Sequence, residues 1–370
     1  MRKFGKPQRA SVARKLAALF AYFAFFLLVV IGAPYAAPYR SSEHCVPPQS
    51  GSSAAALSAA AADAADEPAW QARNRLAIVY LTKKADSSMA NLEKSLQLVH
   101  QHVLPWTTAD VLVFHEGDFS AEDQAQLIAG RPDIHFLRIP ARYWRLPYFL
   151  SEDDFPSWHD QGFSIGYRHM IRWFSLHLWT FASEAGYDNL TQFMRDRDLT
   201  YAYRISFTEW PTSATGFPET LRAYLDMYPQ GDAPHLLAHC TPASLDGLTG
   251  AGWSRFSFYN NFFLTAVPFW QRPDVRRLLE FVDRSGGIYT HRWGDALIHT
   301  AAVQIFLPEG GVHKFEDWTY EHATLGPGAQ LKWGGIVGGS ADPDSERRVA
   351  EFAAAHGGQA VLCVEESKCP

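Results

Sequence analysis

The sequence predicts an α/β domain behind a single N-terminal membrane anchor. Three patterns predict it: an uncharged apolar run near the N-terminus, an Ala/Ser/Pro-rich stretch after it, and, from residue 75 onward, short β-branched runs alternating with amphipathic segments. Alternating strand and helix signals imply a mostly parallel sheet with helices on its faces.

Residues 1–15 carry Arg2, Lys3, Lys6, Arg9, Arg14 and Lys15 and no acid, while Leu16 to Tyr39 carry no charge. A helix rises about 1.5 Å per residue, so roughly 20 apolar residues cross a hydrocarbon core of about 30 Å. Residues 16–33 are therefore expected to form a transmembrane signal anchor. The basic flank stays cytosolic and the rest of the chain becomes lumenal. A cleaved signal peptide is the competing reading, because "APYAAP" offers small residues to a peptidase; the length of the run favours the anchor. Residues 34–71 are too poor in large apolar groups to offset the entropy of ordering and read as a stem.

About 300 residues remain, enough for one large domain or two intimate ones. A 47% hydrophobic content with 12 Trp supplies a sizeable core. The net charge of −6 and the lack of a basic stripe in the lumenal part argue against nucleic acid as a partner. Cys45, Cys240, Cys363 and Cys369 lack zinc-ligand spacing and, in an oxidising lumen, are expected to form structural disulfides with three pairings open.

The elements follow in order. "RLAIVYL" (75–81) reads as a buried strand, and "SSMANLEKSLQLVHQHV" as a helix with Met89, Leu92, Leu96 and Val99 on one face. "ADVLVFHEGD", the capped helix "SAEDQAQLIAG" and "IHFLRI" complete a βαβαβ unit, whose ligands bind beyond the C-terminal ends of the strands. Lys83 and Lys84 fall just past the first such end. Lys83 is placed for a diphosphate; an exposed loop lysine is the plain alternative. "GYRHMIRWFSLHLWTFASEAG" steps by four and three through Tyr167, Ile171, Phe174, Leu178 and Phe181, a long core helix. After it come a strand ("YAYRISF"), a helix ("PETLRAYLDMY"), the aromatic stretch "WSRFSFYNNFFLTAVPFW", a helix stopped by a Gly pair ("RPDVRRLLEFVDRSGGIY"), and a helix stopped at Pro308 ("WGDALIHTAAVQIFLP"). "VHKFEDWTYEH" closes the domain at about residue 330, and 331–370 reads as a Gly-rich tail pinned by cysteines.

The stretch "THRWGDALIHT" (290–300) places unusual ionisable density beside apparent core. By itself Asp295 has a modest alternative role, as a helix N-cap. His322 reads equally well as a satisfied or surface histidine, His169 as a packed helix residue, and Glu209 as an exposed carboxylate.

Taken together, "GYRHMIRWFS", the glutamate of "SFTEW", "FYNNFF", "VDRSGGIYTHRWGDALIHTAAVQIFLP" and "VHKFEDWTYEH" occur in the order seen in glycosyltransferase family 15. The chain resembles these fungal-type Golgi α-1,2-mannosyltransferases from about Leu76 to about His322. The resemblance implies a GT-A-like nucleotide-sugar transferase domain over 72–330, GDP-mannose as donor, a mannosylated glycoprotein or glycan as acceptor, Mn2+ as cofactor and retention of the anomeric configuration. It also implies a type II protein of the Golgi membrane. A nucleotide-sugar donor must be held by its diphosphate while the glycosidic bond breaks, with a divalent cation and basic donors stabilising the charge on the leaving phosphate. The resemblance assigns metal binding to His322 and places Asp295 opposite sugar or acceptor hydroxyls as the catalytic carboxylate. Arg292 would pair with Asp295 or reach a phosphate, and Trp293 would form a wall. Tyr167 and Arg168 would line the donor pocket, with Glu209 and Asn261 alongside.

Two departures stand out. In the family a strand carrying an acidic metal motif follows the long helix; here the chain runs from Gly186 straight to Phe193 and Met194. A segment dropped between Asp188 and Asn189 explains this, since the other motifs are intact; real loss is the alternative. A sheet lacking an interior strand would leave its neighbours' ladder groups unpaired. The "DRD" at Asp196–Asp198 precedes a strand and would lie at the wrong end of the sheet, "DPD" at 342–344 lies in the tail, and the sequon at Asn189 spans the junction. Second, the family's asparagine-phenylalanine-glutamate reads Asn261-Phe262-Phe263, and phenylalanine cannot act as a nucleophile. The sequence therefore leaves a mannosyltransferase, a catalytically inactive glycan- or protein-binding relative, and a transferase of another nucleotide sugar to be distinguished.

Overall fold

The computed structural model describes residues 28–32, 70–84, 86–105, 107–151, 164–187, 191–230, 235–325 and 331–356. Its centre is a seven-stranded sheet built from β1 (Leu28–Gly32), β2 (Ala77–Leu81), β3 (Asp110–His115), β4 (Ile134–Arg138), β5 (Tyr201–Tyr203), β8 (Phe262–Ala266) and β9 (Val312–Lys314), in the order β4-β3-β2-β1-β8-β5-β9. Two smaller sheets pair β6 (Ser206–Thr208) with β7 (Phe256–Phe258), and β10 (Tyr320–Leu325) with β11 (Leu331–Val337).

The expected βαβαβ unit is present: β2, β3 and β4 are parallel, joined by helices at Asp86–His102 and Ala121–Ile128. The second helix opens with a capping box between Ser120 and Asp123, which satisfies orphan backbone donors. Strand alternation sorts the core onto two faces. Ala77, Val79, Leu112, Phe114 and Phe263 pack with the long helix, while Ile78, Tyr80, Val111, Val113, Phe262 and Leu264 pack against Leu92, Leu96 and Val99. Each of the Val, Leu, Ile and Phe side chains contributes about 2 kcal/mol by leaving water. Asp110 is fully buried, but its carboxylate accepts from the Arg73 and Asn74 amides, the Asn74 side chain and the Tyr187 hydroxyl. Those bonds tie the domain's first residues to β3 and to the end of the long helix.

That helix runs from Ile165 to Glu184 with one π turn at Trp173–His177. "YAYRISF" divides between β5 and β6. At the break, Arg204 is buried and donates to the carbonyls of Trp318, Phe315 and Gly338, so the backbone turns around one guanidinium.

Three regions differ from expectation. Most of the 16–33 run lies outside the described residues, but Leu28–Gly32 is a strand, antiparallel to β2 and parallel to β8. It occupies an interior position between β2 and β8, so the ladders of both are satisfied. No described helix is long and apolar enough to cross a membrane. The tail is ordered further than its glycines suggested: β11 pairs with β10, a helix follows at Ser345–Ala355, and Phe352 packs on Ile336. Cys240 is a free, buried thiol; Cys45, Cys363 and Cys369, like Asn189 of the sequon, lie outside the described residues.

Candidate active site

β8 runs opposite to β2 and to β5, so the start of β8 meets the C-terminal ends of both. Three segments therefore converge at one end of the sheet: Thr82–Lys84, Arg204–Glu209 and Tyr259–Asn261. Asp196–Asp198 precede β5 and lie at the other end, as expected.

The stretch Thr290–Thr300 divides by function. His299 is fully buried and bonds the Phe174 carbonyl at 3.1 Å through Nε2; burial pushes its pKa down to about 4, so it packs as a neutral core residue. Trp293 is also buried, lying over Gly287, where an added Cβ would come within 2.4 Å of the indole ring. Its Nε1 donates to the Thr215 carbonyl at 2.8 Å, which fixes the wall. Arg292 adopts a left-handed backbone with φ of 60°, a conformation that costs a non-glycine residue about 1 kcal/mol. Its guanidinium donates to Ser213 Oγ at 2.8 Å and to the Tyr167 hydroxyl at 3.1 Å, and lies over the Tyr167 ring. The backbone strain and this two-pronged hold aim a fixed positive charge into the cluster.

Asp295 begins the helix Asp295–Phe306, but the N-cap is Gly294. The carboxylate instead accepts from Asn260 Nδ2 at 2.7 Å. Burial pushes its pKa up to about 6, against the downward pull of the Asn260 amide, the first-turn backbone N–H groups and Arg292. Glu209 is buried beside it: Gly294 faces Glu209 Oε2, and the Trp210 amide donates to Oε1 at 2.9 Å. Burial raises the Glu209 pKa as well, opposed by the Trp210 amide and Arg292. Two carboxyl groups of raised pKa beside one guanidinium form a pattern concentrated at functional sites. Tyr167, whose pKa burial raises, interacts electrostatically with Arg292, Asp295 and Glu209 and completes the group.

A neighbouring pair holds the candidate metal ligand. His322 is buried, with the Tyr259 ring edge-on at 5.4 Å and the Asn261 amide nitrogen 3.2 Å from Nδ1 and 3.4 Å from Nε2. An amide N–H against the imidazole is a poor fit to a cation. Among the described residues no group of three or more His, Cys, Asp or Glu side chains is placed to hold a metal. The described residues thus do not make a manganese site.

Sequence reasoning brought Tyr167, Glu209, Arg292, Trp293 and Asp295 into one cluster and Asn261 with His322 beside it. Two candidates lie apart. Arg168 is fully buried and donates to the Ile288 carbonyl at 3.2 Å, its pKa lowered to about 10 by burial and by Arg292, so it serves the core behind Tyr167. Lys83 is exposed at the correct sheet end, with no contact to the cluster among the described interactions. His169 bonds the Tyr289 hydroxyl as a packed residue. Asn260, Ser213 and Tyr259 were missed; only Asn260 had a signal, the paired asparagines of "FYNNFF". Phe263 is fully buried and stacks on Tyr201 at 5.4 Å, so its position presents neither a nucleophile nor space for one.

A family model for glycolipid 2-alpha-mannosyltransferases matches residues 178–331. Glycolipid 2-alpha-mannosyltransferase 1 of Candida albicans is 24% identical over 277 residues, covering 67% of this chain and 63% of that protein. Alpha-1,2 mannosyltransferase KTR1 of Saccharomyces cerevisiae is 24% identical over 281 residues, covering 68% and 69%. The chain spans 63% and 58% of the two Candida albicans glycolipid 2-alpha-mannosyltransferases it matches. Core-mannan synthase A of Aspergillus fumigatus, solved in an Mn/GDP form, superposes with a TM-score of 0.59 at 20% identity, over 70% of this chain and 78% of that one. Mannosyltransferase Ktr4p of S. cerevisiae in complex with GDP gives 0.57 at 16% identity, over 73% and 74%. At such identity the likeness establishes the fold.

Proposed function

From the premise that this chain is a member of glycosyltransferase family 15, we propose that it transfers mannose from GDP-mannose to a mannose-containing glycan, forming an α-1,2 linkage with retention. The observation that carries this reading is the cluster of Asp295, Glu209, Tyr167 and Arg292 at the ligand end of the sheet. Arg292, held by Ser213 and Tyr167, offers a preorganised positive charge to the leaving diphosphate. Asp295, oriented by Asn260, accepts a hydrogen bond from a sugar hydroxyl, and Trp293 walls the pocket. With apolar Phe263 at the family's glutamate position, double displacement through that residue is ruled out. The acceptor oxygen then bonds the anomeric carbon on the face the diphosphate leaves. The carbon–phosphate oxygen bond breaks with its electron pair on GDP, and the acceptor proton passes to that phosphate oxygen.

Manganese belongs to this reading through the family and the Mn/GDP form of the Aspergillus relative. The resemblance assigns the metal to His322, whose imidazole faces the Asn261 amide and does not fit a cation as it stands. Because the described residues do not complete a site, no step is assigned to the metal.

The same reading places the chain as a single-pass type II protein of the Golgi membrane, supported by the uncharged 16–33 run and its basic flank. Anchor and sheet compete for this run. With Leu28–Gly32 paired, residues 16–27 would span only about 18 Å of helix against about 30 Å of hydrocarbon. The two placements exclude one another in one chain, so the anchor reading requires another strand in the slot between β2 and β8.

Thermal unfolding of the detergent-solubilised full chain tests the donor. GDP with Mn2+ is expected to raise the transition and UDP with Mn2+ to leave it unchanged. Equal stabilisation by both would sink the GDP-mannose reading.

A further inference from the structure

Behind Trp293 lies a cleft of about 350 Å³ that the cluster above does not use; its walls include Thr215, Glu219, Gly250, Trp253 and Arg255. We infer that this cleft is the subsite for the acceptor saccharide, taking an uncharged, mannose-type sugar next to the one that reacts. The inference takes its choice of sugar from the mannosyl-transfer reading.

Position comes first. The cleft shares its wall with the active cluster: Trp293 donates to the Thr215 carbonyl, and a Cβ added at Gly216 would sit 3.8 Å from the Trp293 ring. On the other side Arg255 and Glu209 exchange two bonds, Glu209 N to Arg255 O and Arg255 Nε to Glu209 O, each 3.0 Å. The cleft thus adjoins the cluster through Thr215 and Arg255, each one hydrogen bond from Trp293 or from the Glu209 backbone. Arg255 also has a left-handed backbone, with φ of 63°, so the segment that carries it is held in a strained form beside the site.

Chemistry selects the ligand. Pro211, Pro218 and Trp253 make the cleft largely apolar, which suits the C–H face of a pyranose. Its polar edge carries one carboxylate and one guanidinium. Glu219 Oε1 accepts from the Gly250 amide at 2.8 Å, and among the described interactions Oε2 is left to accept from a hydroxyl. Arg255 uses Nε on the Glu209 carbonyl, and among the described interactions its two terminal nitrogens are left to donate. Opposite charges in equal number favour a neutral polyhydroxyl ligand over a nucleotide or an acidic peptide. The volume is within the range of small-molecule clefts.

The test uses the full chain in detergent and reads saturation-transfer NMR of methyl α-mannoside and of α-1,2-mannobiose. Gly250 has room for a side chain: its nearest neighbour to an added Cβ is Glu219 Oε1 at 3.6 Å. G250F is expected to fill the cleft and abolish the saccharide signal, while the GDP-induced rise in unfolding temperature persists. E219Q keeps the acceptor for the Gly250 amide but loses the charge, and is expected to weaken mannobiose binding roughly tenfold. If G250F folds poorly, E219Q decides. Saccharide signals undiminished in these variants, or no saccharide signal from the parent chain at millimolar concentration, would overturn the subsite. Binding lost in G250F by a chain that never consumes GDP-mannose would leave the subsite standing and remove the transferase reading. Transfer unaffected by G250F would do the reverse.

Discussion

Replacing Asp295 by asparagine removes a charge that the fold holds at a cost. Burial is the main reason its carboxyl titrates near 6 rather than 3.8, and the Asn260 amide, the first-turn N–H groups and Arg292 recover only part of that cost. One pKa unit is about 1.4 kcal/mol, so ionisation costs the folded state about 3 kcal/mol at most, and about 2 kcal/mol once the side chain's residual solvent access is counted. Because the folded pKa is raised above the unfolded one, this contribution is fully favourable below about pH 4. It is lost as pH rises through about 6 and is constant above that. Asparagine has the shape of the protonated acid, and its carbonyl still accepts from Asn260. D295N is therefore expected to be more stable than the parent by about 2 kcal/mol at pH 7.5, with the gap closing toward zero by pH 4. Urea unfolding at four pH values across that range measures it. A gap independent of pH, or one that opens toward acid, would refute the argument, whatever happens to transfer activity.

R292G relieves the left-handed backbone and so is expected to unfold at an equal or higher temperature while losing at least tenfold in GDP-mannose turnover; lost stability with kept turnover would contradict the strained-clamp account. V30P removes a ladder donor between Ile78 and Leu264 and is expected to cost about 3 kcal/mol by urea unfolding; no effect would mean that β1 does not hold the sheet together. F263E introduces a carboxylate at a fully buried position and is expected to destabilise by several kcal/mol without gain in turnover. A stable, more active F263E would restore that position as a nucleophile. Sequencing the transcript across the Asp188 and Asn189 codons should show an in-frame insert encoding a strand, which in that longer chain would displace Leu28–Gly32 and free it for the anchor; a transcript joined as written leaves β1 in the slot among the described strands.

Local physics made the βαβαβ half-sheet legible. Leu92, Leu96 and Val99 announce a helix by spacing alone, and Ser120 with Asp123 announces its successor. What the sequence hid depends on distant partners. Leu28–Gly32 reads as part of a membrane span because apolar length is a local signal, whereas its pairing with Val79 and Phe263 is not. Gly334 and Gly335 suggested a loose tail, yet β11 is held by β10, with His322 opposite Gly335. The candidate site shows the same division. Arg292, Trp293 and Asp295 stood out together, but Asn260, which orients Asp295, lies 35 residues away, and Ser213, which holds Arg292, lies 79 away. The resemblance placed Arg168 with Tyr167 in the donor pocket, although neighbouring helix residues face different directions. One reaches the cluster and the other the core.

The central claim is most directly tested by product analysis. The purified full chain would be supplied with GDP-mannose, Mn2+ and methyl α-mannoside, and the product read by NMR alongside released GDP. The account predicts a disaccharide with an α-glycosidic bond to O2 and one GDP per linkage formed. Unconsumed donor, or a β-linked product, would contradict it.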